Sequence, residues 1–209
     1  MQTVGEQMSK TPEVLVFDLG GVLADWNGID PLVRLSGGRL DREAARLFWI
    51  GNPWVAKLDL GECEPQEFAA AMTDTLQLGI SPEAMQRQLS DWLAGAYPGA
   101  SELLADLAQR FPLAALSNNN ALHWDKIERE FDLLRHFGHT FASHLLRLRK
   151  PDAAIYRHVQ DTLGAAPETI AFFDDNIECV EAAQAQGWQA FHTKGLEQVR
   201  AALAAQGWL

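Results

Sequence analysis

Val14-Leu15-Val16-Phe17-Asp18-Leu19-Gly20-Gly21-Val22-Leu23 is the stretch whose reading decides the fold. Its apolar run, Val14 to Phe17, is short and rich in β-branched residues, the pattern of a buried strand, and it stops at an acid followed by glycines. In an open α/β sheet, ligands bind in the crevice at the carboxyl ends of the strands. An acid at that edge can meet a ligand while its strand stays anchored, and Gly20 and Gly21 let the backbone turn sharply and come close. Taken alone, the same residues also describe an acid that merely opens a turn. The rest of the chain separates the two.

The pattern recurs downstream. Leu113-Ala114-Ala115-Leu116 runs into Ser117-Asn118-Asn119-Asn120, and Ile170-Ala171-Phe172-Phe173 runs into Asp174-Asp175-Asn176. Helical segments over Ser101–Arg110, Ala121–Phe131 and Ala153–Leu163 lie between them, with a strand over Phe137–Ala142, a helix through Gln186 and a last strand over Gln189–His192. Lys150-Pro151-Asp152 opens the helix at Ala153, with proline placed in the first turn. Strands alternating with helices through short connections predict an α/β fold, a Rossmann-like doubly wound parallel sheet with right-handed crossovers and helices on both faces.

Ile29 to Tyr97 reads differently. The pattern is helical throughout, with apolar residues at three- and four-residue spacing near Leu40–Ile50, Pro65–Leu78 and Pro82–Ala94. Ser81-Pro82 pairs a capping hydroxyl with a first-position proline, and Gly51-Asn52-Pro53 and Gly61 cut the pattern into short elements. The organisation expected is a core of residues 12–27 and 98–209, with a helical unit of residues 28–97 inserted.

With 47% hydrophobic and 22% charged residues, the 209-residue chain has the composition of an ordinary globular protein. Its 17 Lys+Arg against 28 Asp+Glu leave a formal charge of −11, which argues against nucleic acid or an anionic membrane as partner. An anionic small molecule then needs a local positive site. Cys63 and Cys179 lack ligand spacing and read as reduced thiols of a cytoplasmic protein. Met1 to Thr11 is polar without the apolar stretch of a signal peptide, and no apolar run reaches the roughly 18 residues of a membrane span.

Once the strands are parallel, Asp18, Ser117-Asn118 and Asp174-Asp175 share one sheet edge. Paired carboxylates with a third from another strand make an oxygen-rich site of the kind that holds Mg²⁺ beside phosphate oxygens. Ser117 adds a hydroxyl, the amides opening the next helix can bind an anion, and Lys150 adds a positive charge.

Asp18 in Phe-Asp-Leu-Gly-Gly-Val-Leu, Ser117-Asn118 after a strand, Lys150-Pro151 and Phe-Phe-Asp174-Asp175-Asn176 resemble, in order, the four motifs of the haloacid dehalogenase-like hydrolase superfamily. The resemblance spans nearly the whole chain. The inserted unit is similar to that superfamily's small α-helical cap, which covers the site and contributes specificity. The motif forms look closest to small sugar-phosphate phosphatases of the glucose-1-phosphate phosphatase kind and to the amino-terminal phosphatase domain of epoxide hydrolases. The resemblance implies Asp18 as nucleophile through an aspartyl-phosphate, with Ser117 and Lys150 holding the transferring phosphoryl group. It implies phosphate contacts at Gly20, Gly21, Ser117, Asn118 and Lys150. It also implies Mg²⁺ held by Asp18, the Gly20 carbonyl, Asp174 and Asp175. The expected substrate is a small phosphorylated metabolite, a sugar phosphate, handled by a monomer or homodimer.

One position departs from the pattern. The superfamily's phosphatases usually carry an aspartate two residues after the nucleophile as general acid and base, and here that residue is Gly20. Such help is worth roughly 100- to 10,000-fold, so its absence calls for a good leaving group or a substitute acid, Asp25 being nearest in sequence. Two other activities remain open: a 2-haloacid dehalogenase, which the paired acids Asp174 and Asp175 argue against, and a weakly catalytic phosphate-binding protein.

Further residues carry bland readings beside sharper ones. Trp49, Trp54 and Trp92 are tempting stacking platforms but read first as core. His123 follows the second motif and reads by default as a surface histidine. Asn176 reads as a loop-shaping hydrogen bonder, and Asp59, Gly61 and Glu62 as a turn between helices.

Overall fold

The structure, a computed structural model, describes residues 10–209, so most of the polar Met1–Thr11 stretch lies outside the described residues. The central sheet is parallel and five-stranded, in the order β5-β4-β1-β6-β7. Its strands are β1 (Val14–Phe17), β4 (Leu113–Ser117), β5 (His139–Ala142), β6 (Ile170–Asp174) and β7 (Gln189–His192). β1 lies in the middle, with Phe17 paired to Ala115 on one side and Phe173 on the other.

Period-two alternation divides the side chains of β1 between two cores. Leu15 and Phe17 enter one with α6 (Ala100–Leu107), α7 (Ala121–Glu130) and α11 (Gly195–Ala205). Val14 and Val16 enter the other with α9 (Ala153–Leu163) and α10 (Ile177–Ala185). Both faces being covered, the three inner strands β1, β4 and β6 are apolar until the polar residue at each carboxyl end, whereas the edge strands β5 and β7 carry polar residues such as His139, Thr140 and Gln189. The rings of Phe17 and Phe173 stack at 4.9 Å across the β1–β6 pair, so the residues that follow, Asp18 and Asp174, stand side by side at the carboxyl edge of the sheet.

The inserted residues have a third core of their own. It is built on α1 (Ile29–Leu35), α2 (Arg42–Gly51), α3 (Pro53–Asp59), α4 (Pro65–Leu76) and α5 (Pro82–Asp91). The expected start of α5 is present, the Ser81 side chain accepting from the Ala84 amide. Its expected end is not. The helix stops at Asp91, and Leu93–Ala96 forms strand β3, paired antiparallel with β2 (Ala24–Trp26). The insert is therefore helical between the two strands of a hairpin rather than throughout. Ala and Gly have little intrinsic strand preference; pairing across the hairpin outweighs it. No helix among the described residues is long and apolar enough to cross a membrane.

Candidate active site

Asp18, Asp174 and Asp175 converge at the carboxyl edge of β1 and β6, with one carboxylate oxygen from each within 4.8 Å of the others. Asp18 and Asp174 are buried, and between them lies Lys150, only 1% exposed. Its Nζ is 3.2 Å from Asp18 Oδ1 and 2.6 Å from Asp174 Oδ2, and donates to the Leu116 carbonyl at 3.0 Å. Burial opposes a charge on this lysine, yet Asp174 and Asp18 hold its pKa well above the usual value. It stays an ammonium.

The carboxylates respond in the opposite sense. Burial pushes Asp18 up to about 7; Lys150 pulls it down, while Asp174 and Asp175 push it further up. Asp175 is raised to about 6, again chiefly by burial and by Asp174, against Lys150 and Lys194. Burial is the larger cause of the upward shifts at Asp18 and Asp175, and the neighbouring carboxylates add to it. A hard donor set of carboxylate oxygens this close together fits a divalent cation such as Mg²⁺. Gly21 permits the arrangement: its φ is +77°, and a Cβ there would lie 2.5 Å from Asp175 Oδ2.

Lys150 is fixed through its backbone. Asn118 Nδ2 donates to the Lys150 carbonyl and Asn118 Oδ1 accepts from the Lys150 amide, both at 2.8 Å. With its side chain so engaged, Asn118 has its main-chain amide left to offer an anion. Pro151 precedes the capping residue Asp152 of α9 and is not in that helix's first turn as expected. The clamp on Lys150 and the helix start are separate devices. Ser117 ends β4, buried, and Asn176 caps α10, its side chain accepting from the Glu178 amide at 3.0 Å.

These groups floor an open cavity of about 1310 Å³ whose other wall comes from the hairpin and the insert, including Asp25, Trp26, Ile29, Trp49, Ile50 and Asp59. Asp25 thus borders the site, and Trp49 lines it. Trp54 is not among the lining residues; Lys57 Nζ lies 4.5 Å over its ring. Trp92 is buried in the insert's core. Asp59 faces Arg149, the residue before Lys150, at 3.5 Å, and burial lifts its carboxyl to about 7 against the pull of Arg149 and Lys150. His123 corrects the surface reading: it is buried, with Nε2 at 2.6 Å from the Leu89 carbonyl of α5 and Nδ1 at 3.1 Å from Asn120 Nδ2. It joins core to insert. Trp26 and Arg149 were not singled out from sequence; Trp26 follows Asp25 in β2, a stretch given no element in the sequence reading.

Residues 12–187 match the haloacid dehalogenase-like hydrolases, and the chain belongs to that family. It is a hydrolase. A sesquiterpene phosphatase of Aspergillus oryzae is 29% identical over 198 residues, covering 88% of this chain and 91% of the relative. A phosphatase of Mycobacterium tuberculosis is 29% identical over 188 residues, 85% of each. In fold, the chain is similar to a haloacid dehalogenase family enzyme of Bacteroides thetaiotaomicron solved with magnesium and inorganic phosphate, with a TM-score of 0.72 at 21% identity over 88% of this chain and 94% of that one. An L-2-haloacid dehalogenase of Xanthobacter autotrophicus shares the fold at a TM-score of 0.65 and 23% identity, covering 93% and 83%.

Proposed function

We propose that this hydrolase is a Mg²⁺-dependent phosphatase that removes phosphate from a small metabolite through an aspartyl-phosphate on Asp18, a sugar phosphate being the expected substrate. The observation that carries this reading is the convergence of Asp18, Asp174 and Asp175 around one buried ammonium.

In this reading Asp18, fixed at the end of β1 with its Oδ1 accepting from the Leu19 amide at 2.7 Å, attacks phosphorus, and the bond from phosphorus to the leaving oxygen breaks. Lys150 and the Ser117 hydroxyl orient the equatorial phosphate oxygens, aided by the main-chain amides of Gly20 and Asn118; the Gly21 amide, expected among the phosphate contacts, donates instead to the Ala24 carbonyl at 2.8 Å. Water then attacks the phosphoryl group and frees Asp18. Bound Mg²⁺, held by Asp18, Asp174, Asp175 and the Gly20 carbonyl, supplies the positive charge that lets an anionic nucleophile approach an anionic ester. The core of residues 12–27 and 98–209 provides the chemistry, and the insert, as a cap, selects the substrate.

The paired acids Asp174 and Asp175 favour phosphoryl transfer over dehalogenation, because displacement of halide from carbon has no use for a cation at a phosphate. The chain's net negative charge supports a free small-molecule substrate rather than nucleic acid, in a cytoplasmic monomer or homodimer. Phosphate release from a panel of sugar phosphates and nucleotides, with Mg²⁺ and with excess chelator, tests the reading. Metal-dependent release that vanishes in Asp18→Asn is the expected result. A folded protein that binds phosphate yet releases none from any compound would move the site to the weakly catalytic, phosphate-binding alternative.

A further inference from the structure

Asp59 ends α3 of the insert and Arg149 precedes Lys150 in the core, so one charge comes from each wall of the cavity. Both side chains are largely buried, 14% and 19% exposed, and their closest approach, Arg149 Nη2 to Asp59 Oδ2, is 3.5 Å. A charge-assisted hydrogen bond runs at about 2.7–2.9 Å. Arg149 Nε is buried without an acceptor, and among the described residues neither side chain makes a hydrogen bond.

A buried ion pair supports a fold only when further hydrogen bonds satisfy its remaining donors and acceptors. Lys150 meets that condition, with two carboxylates and the Leu116 carbonyl around its ammonium. Arg149 and Asp59 do not meet it. The guanidinium and the carboxyl keep hydrogen-bonding capacity that the protein leaves unused, and both border the cavity.

Their place relative to the chemistry follows from the chain. Arg149 is joined to Lys150, whose ammonium lies between Asp18 and Asp174, and the Asp59 carboxyl feels the charge of Lys150 as well as that of Arg149. Asp59 nevertheless stands outside the cluster of Asp18, Asp174 and Asp175. The pair borders the phosphate position without sharing it, where it can meet what the phosphate is attached to.

We propose that Asp59 and Arg149 bind the leaving portion of the substrate through its hydroxyl groups. This rests on the phosphatase reading above and assigns the recognition of a sugar to two residues. A hydroxyl suits both partners, donating to a carboxyl oxygen and accepting from a guanidinium. Neighbouring hydroxyls on one sugar ring engage the two together. A second anion would suit Arg149 but face Asp59, and an ammonium would suit Asp59 but face Arg149 and Lys150. An apolar group would leave both charged side chains buried without partners, at a high cost.

The test is kcat/KM, with saturating Mg²⁺, for the hexose phosphate turned over fastest among the 1- and 6-phosphates of glucose, mannose and galactose, for its monodeoxy analogues and for phenyl phosphate. Wild type, Arg149→Met and Asp59→Asn are compared. Removal of one recognised hydroxyl should cost wild type about 10- to 100-fold, the scale of a hydrogen bond to a charged group. Either variant should lower the hexose-to-phenyl ratio by a similar factor, and in it the same deoxygenation should cost only a few-fold, because the partner is already gone. A substitution that merely loosens the insert lowers both esters together and leaves the ratio and the deoxygenation penalty as in wild type. Deoxy analogues within a few-fold of the parent in wild type, a penalty unchanged in both variants, or release from phenyl phosphate alone overturns the assignment and leaves the phosphatase reading standing; the wild-type series decides even where a variant does not fold. A preference for an ester carrying a second anion that Arg149→Met removes overturns it as well. No release from any ester overturns the phosphatase reading, and calorimetry of the same hexose phosphates and deoxy analogues on Asp18→Asn then decides the hydroxyl contacts by the same comparison.

Discussion

Replacing Asp18 with Asn should abolish turnover and, in metal-free protein, make the fold more stable relative to wild type by a margin that grows as pH rises. The reason is the environment of the carboxyl: it is buried against Asp174, and its pKa is raised from 3.8 to about 7. Between those values the folded protein keeps a proton that the unfolded chain has released. The native state then binds more protons than the unfolded one, and stability falls with rising pH until Asp18 ionises near 7. At about 1.36 kcal/mol per pKa unit, the shift sets a ceiling of about 4 kcal/mol on the loss. Asparagine has no proton to lose. The difference in unfolding free energy between Asp18→Asn and wild type should therefore be constant below pH 4, grow in favour of the variant through pH 4 to 7, and level off above. Urea unfolding in chelator at several pH values measures it, and the contribution of Asp59, common to both proteins, cancels in the difference. A difference that stays flat, or turns against the variant with rising pH, would refute the reasoning: Lys150 would then hold Asp18 fully ionised, and burial would not dominate.

Lys150→Met should act oppositely, leaving buried carboxylates without their cation; a loss of about 3–5 kcal/mol in urea unfolding is expected together with loss of turnover. Added Mg²⁺ should raise the urea midpoint, more at pH 8 than at pH 5 because protons compete for Asp18 and Asp175, reaching about 2.7 kcal/mol at a hundredfold excess over Kd; Asp175→Asn should remove most of the gain. Gly21→Ala, which puts a methyl 2.5 Å from Asp175 Oδ2 at a φ of +77°, should weaken Mg²⁺ affinity measured by calorimetry. Gly61→Ala places its Cβ 2.5 Å from the His144 carbonyl oxygen, at a φ of +64°, where insert meets core; thermal unfolding should show a loss of about 1 kcal/mol or more.

The sheet was legible because β1, β4 and β6 are apolar runs cut off by a change to polar residues, and in a sheet covered on both faces that change can occur only at the ends. Strand order then brings Asp18, Ser117 and Asp174 to one edge. The hairpin of Ala24–Trp26 and Leu93–Ala96 was not legible, since Ala and Gly carry no strand signal and their pairing partner is far along the chain. His123 looked like a surface residue because sequence does not show the Leu89 carbonyl that satisfies it. That the Asn118 side chain clamps the Lys150 backbone was not legible either, because the two residues are 32 positions apart.

The central claim is that the phosphoryl group passes through residue 18. A rapid acid quench during turnover of a labelled ester, followed by borohydride reduction and mass spectrometry, tests it directly. The account predicts trapped, reduced acyl-phosphate at position 18 in wild type and none in Asp18→Asn. Phosphate release with no modified residue at position 18 would contradict it.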